Sequence, residues 1–299
     1  MAQNSKAIRK RIKSVASTKK ITRTMEMVAT SKLQRIQGRV LQSRPYMAAM
    51  KSLMEKISGS VESIGLLSPL FERRSPTKRV LVFVITANRG LCGGFNSNIV
   101  RKCRDHLDHL RAEGFEPTLW VAGKKGVSQL NFRGVQIDES RTDLSDNPTF
   151  AEAEQVAAPM LAAFLDHTVD RVDIVYADFQ SVGSQPPTAT TLLPVGETDS
   201  DDDDESDDGG AQGVDQFIYE PSAAEILSEL GPAYVKNLMY RMLLSSVASE
   251  QISRRVAMKN ATDAAGDMET NLTRDYNKAR QAAITQEIAE IVGGVEAMK

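Results

Sequence analysis

Cysteine is scarce in this chain, with only Cys92 and Cys103 in 299 residues, and the two sit in unrelated contexts. One pair builds no disulfide framework, which points to a reducing compartment. Aromatic residues make up 5%, with a single Trp120, while methionine is plentiful at 12. That balance suits helices packed on helices better than a β-sandwich. No run of eighteen apolar residues occurs, so no transmembrane helix is expected. The basic N-terminus is followed by no apolar core, which argues against a secretory signal, and it merges into a long helical pattern rather than a transit peptide. Histidine numbers three, none beside a Gly-x-Ser-x-Gly elbow, so no hydrolase triad is legible. Carboxylates are many but scattered, and no acid–base pair can be read from them. The hydrophobic fraction of 41% excludes a disordered chain, and the length allows one large or two small domains.

The net charge of −2 conceals a segregation. Met1 to Arg44 holds twelve basic residues and one acid, Glu26. Glu197 to Asp208 holds nine acids and no base, so the rest of the chain is positive. Charge blocks of this kind face a partner or remain solvated. The basic end suits nucleic acid, or a rod inside an acidic protein sleeve, and charge alone leaves both open. The acidic run lacks the glycine-punctuated register of an EF-hand and reads as a mobile, low-complexity loop.

Two long helices bracket the chain. Ser245 to Lys299 contains no proline and few glycines, and good helix formers dominate it. Its apolar residues recur at helical spacing: Leu272, Tyr276, Ala279, Ala283, and beside them Ile284, Ile288, Ile291 and Val295. A helix of about 50 residues is about 75 Å long and needs a partner along its side. The N-terminal stretch supplies one. Ile8, Ile12, Val15, then Ile21, Met25, Val28, then Ala29, Leu33, Ile36 and Val40 form a stripe with a shift of phase, as when one helix winds on another. Pro45 is expected to kink that helix, which fades at Gly59 and ends by about Ile64.

The middle reads differently. Arg79–Thr86 is a continuous apolar run of buried-strand length, and Thr118–Gly123 and Arg171–Ala177 are further strands. Helices are expected over Asn98–Glu113, Lys124–Asn131 and Pro148–His167. Thr188–Pro194 and Gln216–Tyr219 suggest an edge hairpin. Such alternation implies a small, mostly parallel sheet covered on both faces. The fold class is therefore α/β, with the terminal helices paired as a long antiparallel coiled coil. The expected divisions are 1–64, 78–220 with an acidic loop at 197–213, and 221–299.

Arg89-Gly-Leu-Cys-Gly-Gly-Phe-Asn96 follows a strand and precedes a helix, the place of a phosphate loop. It lacks both the Walker Gly-Lys-Ser/Thr and the dinucleotide G-x-G-x-x-G spacing, so a tight turn with positive φ is the stronger reading. No cofactor is expected. His106 and His109 are three apart on a helix, but no third ligand completes a metal site, and a solvated helix face is expected.

Three stretches carry a family resemblance: Lys20-Ile-Thr-Arg-Thr-Met-Glu-Met-Val-Ala-Thr-Ser-Lys32, Arg89–Asn96, and Asn277-Lys-Ala-Arg-Gln-Ala-Ala-Ile-Thr-Gln-Glu-Ile-Ala-Glu-Ile-Val-Gly-Gly294. Together, and in order over nearly the whole chain, they resemble the gamma subunits of F-type ATP synthases. Val295 departs from the family's usual alanine after that glycine, a minor packing change. The resemblance implies a Rossmann-like domain inserted between coiled-coil helices, and a non-catalytic rotor shaft. Implied partners are the hexamer of alpha and beta subunits, the epsilon subunit and the c-ring, without nucleic acid or membrane insertion. Met25 is implied to face the beta subunit's acidic lever loop, although packing in the seam suits it nearly as well. Arg255, Arg280, Gln281, Thr285 and Glu287 are implied to touch the head, and Asp201, Asp202, Asp203 and Asp204 to lie near the c-ring and epsilon foot. The implied location is the cytoplasmic face of a bacterial plasma membrane. Absence of the chloroplast dithiol insert argues against thiol regulation.

Overall fold

A computed structural model of the chain describes residues 2–59, 68–72, 74–196 and 222–298. The acidic run, Asp201–Asp204 within it, the strand expected at Gln216–Tyr219 and Pro221 lie outside the described residues. The chain divides into two compact units, residues 33–252 and residues 1–32 with 253–299. Two helices, α1 (Ala2–Gly59) and α5 (Ala223–Ala297), contribute to both.

In the larger unit, β1 (Arg79–Ile85), β2 (Glu116–Ala122), β3 (Glu139–Arg141), β4 (Arg171–Ala177) and β5 (Pro187–Leu193) form one sheet in the order β3-β2-β1-β4-β5. The first four strands are parallel, and β5 pairs antiparallel with β4. Helices α2 (Phe95–Ala112) and α3 (Lys124–Phe132) carry the chain outward from β1 through β2 to β3. Helix α4 (Phe150–Leu165) returns it to the other side of β1, so β1 and β4 flank the point where the winding reverses.

The continuous apolar run of β1 is explained by burial on two faces. Val80, Val82 and Val84 pack with Ile99, Cys103 and Leu107 of α2. Leu81, Phe83 and Ile85 belong to a second core with Met160 and Phe164 of α4, Met54 and Ile57 of α1, and Leu238 and Met242 of α5. The chain therefore covers its second sheet face partly with its own terminal helices. Farther along the same helices, Leu33 and Ile36 of α1 pack with Leu244, Val247, Ala248 and Ile252 of α5.

Local signals set the boundaries. Thr149 and Glu152 form a reciprocal capping box that starts α4, two residues later than the sequence suggests. Ser222 accepts from the amide of Glu225 at the head of α5. Helix α1 continues through Pro45 and is described as far as Gly59; its expected end near Ile64 lies outside the described residues. Strand β3, Glu-Ser-Arg, carries no apolar signal and exists through backbone pairing with β2.

In the smaller unit the helix pair is antiparallel. Lys19 Nζ lies 3.1 Å from Glu269 Oε2, and the hydroxyls of Thr22 and Thr262 lie 2.8 Å apart, so rising numbers on α1 meet falling numbers on α5. On α5 the covered positions are Met258, Thr262, Ala265, Glu269, Leu272, Tyr276, Ala279 and Ala283. Steps of four and three alternate along them, the 3.5-residue repeat of a left-handed coiled coil. On α1 the covered positions include Ile8, Ile12, Val15, Lys19, Thr22, Met25, Glu26 and Ala29. This corrects the expected stripe at Ile21 and Val28, which are 58% and 50% exposed, while Thr22, outside that stripe, is buried and Ala29 is buried as expected.

Candidate functional site

The covered seam of α5 stops before the helix does. Extending the Lys19–Glu269 and Thr22–Thr262 pairing, α1 reaches its start at Ala2 while α5 runs on to Ala297. From Ile284 to Val295 every residue is exposed, including Ile284, Ile288, Ile291, Val292 and Val295. Ile291 is 67% exposed. An exposed apolar helix face of this kind is a candidate surface for protein contact. Sequence periodicity finds these residues but cannot separate a seam from a partner face, since both are apolar at helical spacing.

Arg280, Gln281, Thr285 and Glu287 are exposed on this end of α5, and the Thr285 hydroxyl donates to the Gln281 carbonyl at 3.0 Å. Met25 on α1 and Arg255 on α5 are half-buried.

The glycine-rich loop after β1 sits at the reversal of the sheet winding. Leu91 and Gly93 adopt positive φ, 63° and 57°, so a leucine shares the left-handed turn with a glycine. The polar groups of the loop are engaged internally. Asn96 Oδ1 accepts from the Ala87 amide at 2.9 Å, and Asn96 Nδ2 donates to Cys92 Sγ at 3.2 Å. Asn88 Oδ1 accepts from Lys124 N, the Ala87 carbonyl accepts from Lys125 N, and Thr86 Oγ1 accepts from Gly126 N. The first three amides of α3 are thus taken by residues 86–88. Gly123 has φ 99°, and a Cβ there would lie 2.2 Å from the Thr86 carbonyl oxygen, so β1 and α3 meet at contact distance. The loop is a packed turn between β1 and the helices that follow it.

His109 is exposed beside Glu113, as a solvated helix face predicts, but His106 is not. Its Nε2 lies 2.8 Å from Asp173 Oδ2, under the sheet face that α2 covers. Asp173 is fully buried in β4, where Arg171 Nε donates to its Oδ1 at 2.7 Å and the Thr191 hydroxyl at 3.0 Å. Burial pushes the Asp173 carboxyl up, but the His106 bond and the Arg171 charge and bond outweigh it and hold it below the usual range. A lone acid inside Arg-Val-Asp-Ile-Val-Tyr-Ala was the signal available in the sequence. Asp170 behaves similarly: burial raises it, but the Arg79 guanidinium and the amides of Arg79 and Lys78 bring it to about 2. Both cysteines are buried, and burial, opposed by Arg104 and Arg111, pushes the Cys103 thiol up to about 12. Among the described residues, no group of three or more His, Cys, Asp or Glu is placed to hold a metal ion.

The smaller unit is an antiparallel helix pair of the two chain ends and the larger unit a doubly wound sheet, the two parts of a stalk-type protein. The family model described as ATP synthase matches residues 4–298. The ATP synthase gamma chain of Leptospira biflexa is 42% identical over 293 residues, covering 97% of this chain and 98% of that one. The gamma chain of Gemmatimonas aurantiaca is 41% identical, covering 98% of each. Among solved structures, the central stalk and c-ring of Tetrahymena thermophila mitochondrial ATP synthase contains a chain 25% identical, covering 81% of this chain and 99% of that one, with TM-score 0.56. A chain of the Euglena gracilis mitochondrial ATP synthase shares the fold at TM-score 0.67 and 20% identity, covering 100% of this chain and 95% of that one. The chain belongs to the ATP synthase gamma chain family.

Proposed function

We propose that this chain is the turning shaft of an F-type ATP synthase. A proton-driven c-ring rotates it, and its asymmetric faces drive the catalytic beta subunits through open and closed states in sequence. The chain itself forms and breaks no bond. The observation that carries this reading is the apolar end of α5, where Ile284, Ile288, Ile291 and Val295 are exposed beyond the coiled-coil seam. The names of the relatives and the stalk and rotor titles of the solved neighbours support the same class of partner.

In this reading the coiled coil of α1 and α5 threads the alpha–beta hexamer. Met25 faces the beta lever loop, and Arg255, Arg280, Gln281, Thr285 and Glu287 make transient polar contacts with the head. Polar and small residues there suit a shaft that must slip past three equivalent surfaces without stalling. The α/β domain holds epsilon and rests on the c-ring, with Asp201–Asp204 on that side. Segments 1–64, 78–220 and 221–299 divide the task into shaft, foot and shaft. The chain works at the cytoplasmic face of the bacterial plasma membrane, and no helix among the described residues is long and apolar enough to cross it.

The test is truncation after Ile284 in a chain co-expressed with alpha and beta. The shortened chain is expected to co-purify with the hexamer and to turn with weakened torque, while the α/β domain melts as before. Full torque without residues 285–299, or failure of the intact chain to co-purify with the hexamer, overturns the reading.

A further inference from the structure

We propose that Ser245 and Ser249 of α5, with Arg39 of α1, form the joint that carries torque between the sheet and the two long helices. The inference rests on the shaft reading above and adds to it the residues through which load passes.

Apolar contact resists separation but fixes rotation and sliding poorly, because it is non-directional. A joint under torsion needs directional bonds to something rigid. Ser245 and Ser249 lie one turn apart on the same side of α5. Both are buried, and both approach the end of β4, a strand flanked on each side within the sheet. The Ser249 hydroxyl lies 3.2 Å from the Ala177 carbonyl. Ser245 Oγ accepts from the Phe179 amide at 2.6 Å, and its own proton is shared between Asp178 Oδ1 at 3.2 Å and the Ala177 carbonyl at 3.4 Å. Helix α5 is thereby registered, in rotation and along its axis, to the last residue of β4 and the two residues that follow it.

Arg39 ties the second helix to the same frame. Its Nη1 donates to Asn147 Oδ1 at 2.6 Å, just before α4, and its Nη2 donates to the Tyr240 hydroxyl of α5 at 2.7 Å. Its guanidinium lies 5.7 Å from the centroid of the Tyr240 ring, which meets Phe150 of α4 edge-on at 6.0 Å. One planar donor therefore links α1, α5 and the approach to α4, a geometry that lysine cannot reproduce. With both helices held, torsion loads them together instead of shearing one along the other.

The experiment uses the assembled complex with a single-molecule rotation probe attached either to the exposed surface of the α/β domain or to α5. Ser245→Ala/Ser249→Ala is compared with the parent, and Ser245→Thr/Ser249→Thr restores the hydroxyls. The alanine pair is expected to lower torsional stiffness about twofold when the load is on the α/β domain, through loss of directional bonds. With the load on α5, stiffness and unloaded hydrolysis stay at parent values, and the threonine pair recovers at least part of the stiffness. Arg39→Gln, at a half-buried site, loosens the joint from the α1 side and gives an independent reading if the alanine pair folds poorly. Unchanged stiffness at the domain, or equal softening at both attachment points, overturns the joint. A parent complex that does not rotate at all overturns the shaft reading itself, a different result.

Discussion

At the scale of single residues, the buried carboxylates govern how the α/β unit responds to acid. Asp173 titrates below its ordinary range when folded, so its stabilisation is present above the unfolded value of about 4 and is lost as pH falls through the lower folded value. Asp170, at about 2, follows the same sign with its loss centred lower. Asp173→Asn leaves His106 and Arg171 facing a group that no longer carries charge, and is expected to cost about 3 kcal/mol at neutral pH. Thermal unfolding of the isolated chain between pH 7 and pH 3 checks it: the variant should lose less stability on acidification than the parent. Gly123→Ala is expected to be worse tolerated, by more than about 3 kcal/mol, because neither the positive φ nor the contact with the Thr86 backbone admits a Cβ. Circular dichroism melts of that variant would show a large drop or no folded state. Neither native thiol should consume a maleimide at neutral pH, since both are buried and alkylation needs the thiolate.

At the scale of elements, the helix pair shows what pattern reading captures and where it stops. The Thr22–Thr262 contact puts two hydroxyls inside a seam. Each hydroxyl also has a carbonyl of its own helix, Lys19 for Thr22 and Met258 for Thr262, so replacing one threonine with valine removes the inter-helix bond without orphaning the other, and a double-mutant cycle by chemical denaturation should give coupling of about 0.5 kcal/mol. Hydrophobicity placed Ile21 and Val28 in the same stripe as Ala29 and Leu33. The structure instead buries Thr22 and exposes Ile21. The reason is that this helix has two apolar surfaces, one for its twin helix and one facing outward, and hydropathy sums them. The strands β1 and β4 were legible because burial on both faces leaves an unbroken apolar run. Strand β3 was not, since backbone pairing writes no side-chain pattern. Of the candidate site, the apolar residues at the end of α5 were legible but were read as part of the seam, and their exposure was not. The burial of His106 was not, because its partner is distant in sequence on another element.

At the scale of the whole molecule, the chain spends its stabilising contacts unevenly. The sheet is sealed on both faces by apolar cores, while residues 284–295 of α5 are all exposed. Amides of 284–298 are expected to exchange hydrogen early in the isolated chain, and those of β1 and β4 only at the rate of global unfolding. Adding the hexamer should protect the first set and leave the second unchanged. Exchange measured by mass spectrometry with and without the hexamer checks both statements. The same bare helix end has a consequence for how a cell must make this subunit. On the proposed shaft reading, a copy synthesised without its partners displays isoleucines and valines to every neighbour, so orphan copies would clump or be degraded, and production in step with those partners is favoured by the chemistry of residues 284–295.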